Sequence, residues 1–230
     1  MGNIVIGIEG LVGSGKTSIC RELIKRIPNS VLLNGGNLYR ALVFIMMKNG
    51  STIEKMKKSG KSLDVRELID LFGIQVEIEE GETVIYANGK KLREEDLQSK
   101  ETSLAVSEVS NTASNENAFK FVHDLIDELK NTYNVIFSGR ATMKIYPKCD
   151  YHFFVIADLE ERVRRKCSQY NNLESPEEIR ENIIKRDELQ RKSGFYEYSD
   201  ITIEVDVTDC ESVQASTDKV LQRIKIKQGV

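Results

Sequence analysis

Gly10-Leu11-Val12-Gly13-Ser14-Gly15-Lys16-Thr17 fits the spacing G-x-x-x-x-G-K-[ST] at every fixed position. The flanking residues give the match its weight. Upstream, Ile4-Val5-Ile6-Gly7-Ile8 is a short β-branched run that suits a strand buried on both faces. Downstream, Ile19, Leu23 and Ile27 fall four residues apart with Cys20 and Ile24 beside them, and Pro28-Asn29 ends the period. A strand, a glycine-rich turn and a helix in that order are what a P-loop requires. Glycines let the backbone curl so that several N–H groups point at one anion, and the helix starting near Lys16 adds its positive end. Lys16 would reach the β- and γ-phosphates of a nucleoside triphosphate as a point charge. Thr17 would offer its hydroxyl to a Mg²⁺ bridging those phosphates. The triphosphate contacts expected are Gly10, Leu11, Val12, Gly13, Ser14, Gly15, Lys16, Thr17 and Ser18.

Outward from this loop, strand and helix patterns alternate. Val31-Leu32-Leu33 reads as a second strand closed by Asn34-Gly35-Gly36, and Leu38 to Met47 as a helix stopped by Asn49-Gly50. Leu63 to Phe72 predicts a short helix. Ile74 to Ile78 alternates with period two, Glu80-Gly81-Glu82 turns the chain, and Thr83 to Tyr86 returns, a hairpin with one wet face. It looks like an insertion on a parallel-sheet core rather than part of that core. Glu101 to Leu129 predicts two helical segments broken near Ser114 to Asn117. Further strands follow at Val135-Ile136-Phe137, His152 to Ile156 and Ile201 to Val207. Helices are predicted at Leu159 to Gln169, Pro176 to Arg191 and Ser212 to Ile226. The class is α/β with a parallel sheet.

Composition excludes some functions. A formal net charge of -3 gives no reason to expect a nucleic-acid polymer as partner. Cys20, Cys149, Cys167 and Cys210 form no CxxC pair and have no His at ligand spacing, so neither a disulfide framework nor a zinc site is expected. No signal peptide and no apolar stretch of membrane-spanning length is read, so the expectation is a cytoplasmic protein without a membrane partner.

The whole-chain pattern resembles the cytidylate kinase family of nucleoside monophosphate kinases. Ile6-Gly7-Ile8-Glu9-Gly10 through Thr17 is similar to its I-D-G-x-x-G-x-G-K, and Asn34-Gly35-Gly36-Asn37-Leu38-Tyr39-Arg40 to its D-S/T-G-x-x-Y-R. Residues 63–92 are similar to its inserted lobe. Ser138-Gly139-Arg140 falls where the family has D-G-R-D, Ala157 to Arg165 resembles A-S-x-E-x-R-A-x-R-R, and Arg186-Asp187 opens its R-D-x-x-D-x-x-R lid segment.

The resemblance implies a P-loop three-layer fold: a five-stranded parallel sheet, an inserted small α+β monophosphate-binding lobe and a helical lid. It divides the chain into a core at 1–36, 118–158 and 200–230, a lobe at 37–117 and a lid at 159–199. It implies transfer of the γ-phosphoryl of ATP, with Mg²⁺, to CMP or dCMP by a monomer. Lys16, Arg140, Arg186, Arg162 and Arg165 are the expected catalytic cations, because a transferring phosphoryl group is stabilised by positioned positive charge. Arg162 and Arg165 stand in a run with Arg164 and Lys166, and charge runs are usually solvated faces. The acceptor contacts implied are Gly36, Tyr39, Arg40, Ser107, Gly139, Arg140, Arg186 and Gln190. Glu9, standing for the family's Asp, joins Thr17 as an expected metal ligand.

The departures gather on the acceptor side. Ser138 and Ala141 replace the two acids of D-G-R-D, Ser114 replaces an Arg, and in the lid Gln190 replaces an Asp and Ser193 an Arg. Such changes should move or relax acceptor choice, since each unpaired buried polar group costs about 1–3 kcal/mol. Three readings stay open on sequence: a kinase for a CMP-like monophosphate, a kinase for another small metabolite, and a nucleotide-binding regulatory protein with weakened transfer.

Overall fold

The computed structural model describes residues 2–50, 69–97, 99, 102, 115–169, 174–196 and 198–224, with 115–118 as backbone only. Of the helical break expected at Ser114 to Asn117, Ser114 lies outside them while 115–117 are already helical; Ser107 and most of the helix expected at Leu63 to Phe72 also lie outside them. Strands are β1 (Val5–Gly10), β2 (Ser30–Asn34), β3 (Ile74–Glu79), β4 (Glu82–Ala87), β5 (Lys90–Lys91), β6 (Asn134–Ser138), β7 (Tyr151–Ile156) and β8 (Thr202–Asp206). Helices are α1 (Lys16–Arg26), α2 (Gly35–Lys48), α3 (Glu94–Leu97), α4 (Asn115–Lys130), α5 (Thr142–Ile145), α6 (Leu159–Gln169), α7 (Pro176–Lys192) and α8 (Val213–Leu221).

Five strands run parallel in the order β2-β6-β1-β7-β8. β1 lies at the centre because Val5, Ile6 and Ile8 are fully buried and can face helices on both sides. Its alternation divides the core. Val5, with Leu33 and Phe137, packs under α2 and α4, while Ile6 and Ile8 meet Ile19, Leu23 and Ile27 of α1 and Val220 of α8. Each such fully buried aliphatic side chain stabilises the fold by about 1.5–3 kcal/mol before entropy is counted. A third, smaller cluster joins Val12 to Val163 of α6 and to Ile179 and Ile183 of α7.

Two expectations change. The β3-β4 hairpin is not separate from the core sheet. Leu32 N donates to Gly81 O (2.8 Å) and Thr83 Oγ1 donates to Leu32 O (3.1 Å), so β4 continues the sheet beside β2, and the sheet has eight strands among the described residues. The exposed edge of β2 offered unpaired backbone groups, and the hairpin satisfies part of them. Second, the helix expected from Leu38 begins earlier, at Gly35, directly where β2 closes. Asn34 is the N-cap of α2, its side chain accepting from Asn37 N at 3.1 Å, and the glycines form the first helical turn. Gly35 is needed there, because a Cβ would lie 2.7 Å from the Phe137 ring.

Candidate active site

The P-loop leaves the carboxyl end of β1 in the shape its glycines permit. Gly10 has φ 149°, and a Cβ on it would stand 2.1 Å from Val155 O of β7. Gly15 caps α1 at φ 94° and contributes no side-chain bond, which leaves the first N–H groups of α1 for an anion. Lys16 Nζ folds across the loop and donates to Gly10 O and Leu11 O, each at 2.7 Å. Burial, followed by the charge of Arg140, brings the Lys16 ammonium down to about 7, while Asp187 pulls the other way.

A cavity of about 270 Å³ opens between this loop, the start of α2, the end of β6 and the lid helix α7. Five cations line it: Lys16, Arg40, Arg140, Lys166 and Arg186. They oppose one another. Arg140 is lowered to about 10 by burial and then by Arg186 and Arg40, and Lys166 to about 8 by burial and the same two arginines. A site whose positive groups depress each other's charge is relieved by a multiply charged anion. The lining also includes apolar side chains, Phe119, Phe121, Val122 and Phe137, with Phe195 following α7.

Of the residues expected at the site, Gly10, Val12, Gly13, Lys16, Thr17, Gly36, Tyr39, Arg40, Gly139, Arg140, Arg186 and Gln190 line this one cavity. Leu11, Ser14, Gly15 and Ser18 belong to the P-loop and α1 without lining it. Asn34 and Ser138, which stand in the family's acceptor-side motifs, also line it, together with Asn37 and with Lys166 from the charge run, two residues the sequence does not single out. The sequence reading also gave no role to Asp187 or Tyr196.

Three expected residues stand elsewhere. Glu9 is 1% exposed and lies outside the lining. Its Oε1 accepts from Thr142 N at 2.9 Å and its Oε2 lies 3.4 Å from His152 Nε2. One oxygen of this carboxylate is thus engaged at the start of α5 and the other faces β7. Arg162 is buried in an ion pair with Asp187 and also donates to Val12 O. Arg165 donates to Ser14 O (3.0 Å) and Val207 O (2.7 Å) and pairs with Glu161 (2.7 Å). Both arginines therefore brace the P-loop from outside the cavity. Of the charge run only Arg164 is exposed; Arg162 is buried and Arg165 and Lys166 are half-buried.

The lining fits Mg²⁺ held in one way only. Among the described residues no three His, Cys, Asp or Glu side chains converge. Thr17 supplies a single hydroxyl, which suits an ion bound chiefly by phosphate oxygens and water. Among the described residues no helix is long and apolar enough to cross a membrane. All four cysteines are free, and Cys20, Cys149 and Cys210 are buried.

A P-loop facing convergent cations at the carboxyl ends of a parallel sheet defines a P-loop phosphotransferase. Residues 6–227 match the family described as cytidylate kinase. Cytidylate kinase of Clostridioides difficile is 28% identical over 98% of this chain and all of its own length. That of Aquifex aeolicus is 27% identical over 95% of each chain. Among solved structures, an uncharacterized protein of Eubacterium ventriosum shares the fold at TM-score 0.50 and 15% identity, over 96% of this chain and 97% of that one. The chain belongs to the cytidylate kinase family. It is a nucleoside monophosphate kinase, and ATP is its phosphate donor.

Proposed function

We propose that the acceptor is CMP or dCMP and that the reaction yields the diphosphate and ADP. The observation that carries this reading is the ring of Lys16, Arg40, Arg140, Lys166 and Arg186 around a single cavity. That ring can hold two phosphate groups at once, a donor γ-phosphate over the P-loop and an acceptor phosphate beside α2. Kinship with enzymes named cytidylate kinase supports a cytosine acceptor.

In this reading each residue has a distinct task. The P-loop N–H groups and Lys16 hold the β- and γ-phosphates. Arg40 and Tyr39, on the first turns of α2, orient the acceptor phosphate. Arg140, at the end of β6, and Arg186, from α7, face the space between donor and acceptor, where charge spreads as the phosphoryl group moves. Their forked donors match equatorial phosphate oxygens better than an ammonium does. Mg²⁺, when bound with ATP at Thr17, would neutralise charge on the bridging phosphates. Residues 159–199 act as a lid that excludes water, and 37–117 as the acceptor lobe.

Thermal denaturation with ATP analogue present tests the acceptor. A ligand that binds the folded state stabilises it by RT ln(1 + [L]/Kd), so at equal concentration the tighter ligand raises Tm more. CMP and dCMP should raise it more than AMP, GMP or UMP, and Arg40→Ala should remove the difference. A larger rise with another monophosphate would reassign the acceptor.

A further inference from the structure

Val12 is gripped three ways by the two lid helices. Its side chain enters the small apolar cluster of Val163, Ile179 and Ile183. Its N–H donates to Asp187 Oδ1 at 3.0 Å, and its carbonyl accepts from Arg162 Nη1 at 3.1 Å. Arg162 Nη1 and Asp187 Oδ2 meet at 2.5 Å, both side chains being 9% exposed. Tyr196 Oη, beyond α7, donates to Asp187 Oδ1 at 2.7 Å. Tyr196 does this from φ 61°, a left-handed backbone that is rare for an aromatic residue, with its ring edge-on to Phe154 at 5.3 Å.

The helical period explains how Asp187 gets there. Ile179, Ile183, Asp187 and Gln190 are the buried residues of α7 and share one face. The stripe begins apolar and becomes polar where it reaches the P-loop. A buried carboxylate is tolerated only with partners, and this one has three donors. Its neighbour Arg186 turns into the cavity from the same turn of helix.

We infer that Asp187 is a positioning residue for phosphoryl transfer: through the Val12 backbone it fixes the crown of the P-loop, and through the same helical turn it sets Arg186 over the cavity. Loop and lid are then one rigid unit, and the spacing between Lys16 and Arg186 is determined by this contact. Asp187 is also the carboxylate whose charge acts on Lys16, against Arg140 and Arg186.

The inference rests on the kinase reading, so wild-type kcat is first measured with ATP and whichever monophosphate it turns over fastest. Asp187→Asn keeps size and one acceptor oxygen but removes the charge that Arg162 meets. It should lower kcat about 100-fold, the scale of an ångström-sized misplacement, with acceptor KM changed less than about threefold. A purely structural role would lower the amount of folded enzyme without this split between kcat and KM. A folded variant with kcat within about threefold of wild type, or with acceptor KM raised as much as kcat falls, overturns the inference. Should Asp187→Asn not fold, Tyr196→Phe decides instead. Removing that one donor should lower kcat about tenfold, and unchanged kcat overturns the inference equally.

Discussion

Lys16 Nζ and Gly10 O stand 2.7 Å apart, so the P-loop's only ammonium is held by the loop's own carbonyls. The same ammonium is brought down to about 7 by burial and by Arg140. In the unliganded protein it is half discharged near neutral pH. A triphosphate beside it favours the charged form, so binding must take up a proton wherever the free amine is neutral. The sign follows: ATP affinity is level below the Lys16 value and falls as pH rises above it. Calorimetric titration at about pH 8, in buffers of different ionisation enthalpy, should read an uptake approaching one proton. No uptake would place the Lys16 charge elsewhere. Lys16→Ala should lower kcat/KM for ATP by about 100-fold or more.

Arg186→Ala should separate transfer from binding. Arg186 lines the cavity from the lid helix and opposes Arg140 and Lys166 there. Its removal should cut kcat by about 100-fold to 1,000-fold while the Kd for ATP changes only a few-fold. Unchanged kcat would make Arg186 a surface charge.

Glu9 gives a prediction of opposite character. Its carboxylate satisfies Thr142 N in a fully buried position, so Glu9→Ala should cost about 1–3 kcal/mol in urea denaturation. Glu9→Gln keeps an acceptor for Thr142 N and should cost less. The Mg²⁺ concentration giving half-maximal rate should stay within about twofold for Glu9→Gln, since Glu9 lies outside the cavity lining that includes Thr17. A large rise in that concentration would return Glu9 to the metal site.

Gly10 tests the loop's steric frame. A methyl group at this position meets Val155 O at 2.1 Å and imposes a backbone conformation that L residues rarely adopt. Gly10→Ala should lose about 2–5 kcal/mol of stability by denaturant titration, combining overpacking with the cost of the left-handed region. A loss under about 0.5 kcal/mol would mean that β7 yields freely at this point.

The donor half of the site was legible from sequence because its chemistry is local. Gly10, Gly13, Gly15, Lys16 and Thr17 lie within one turn, and their spacing carries the geometry. Arg40 and Arg140 were also legible, each following a strand end marked by glycine. The Arg162–Asp187 pair was not legible because the two residues are on different helices, and only the fold brings them together. The surroundings of Glu9 were not legible for a similar reason, since Thr142 N and His152 reach it from α5 and β7. The Ile179-Ile183-Asp187 stripe was a usable signal, because an acid at the next core position of a helix needs a buried partner. The hairpin's union with β2 rests on one backbone bond and one Thr83 hydroxyl bond at Leu32, which no hydrophobic pattern announces.

Acceptor-dependent ADP formation, measured with ATP and Mg²⁺ over the ribose and deoxyribose monophosphates of all bases, tests the central claim most directly. The predicted result is rapid turnover that requires a monophosphate, has its highest kcat/KM with CMP or dCMP, and is lost in Lys16→Ala and Arg140→Ala. ADP formation no faster with any monophosphate than with ATP alone would contradict it.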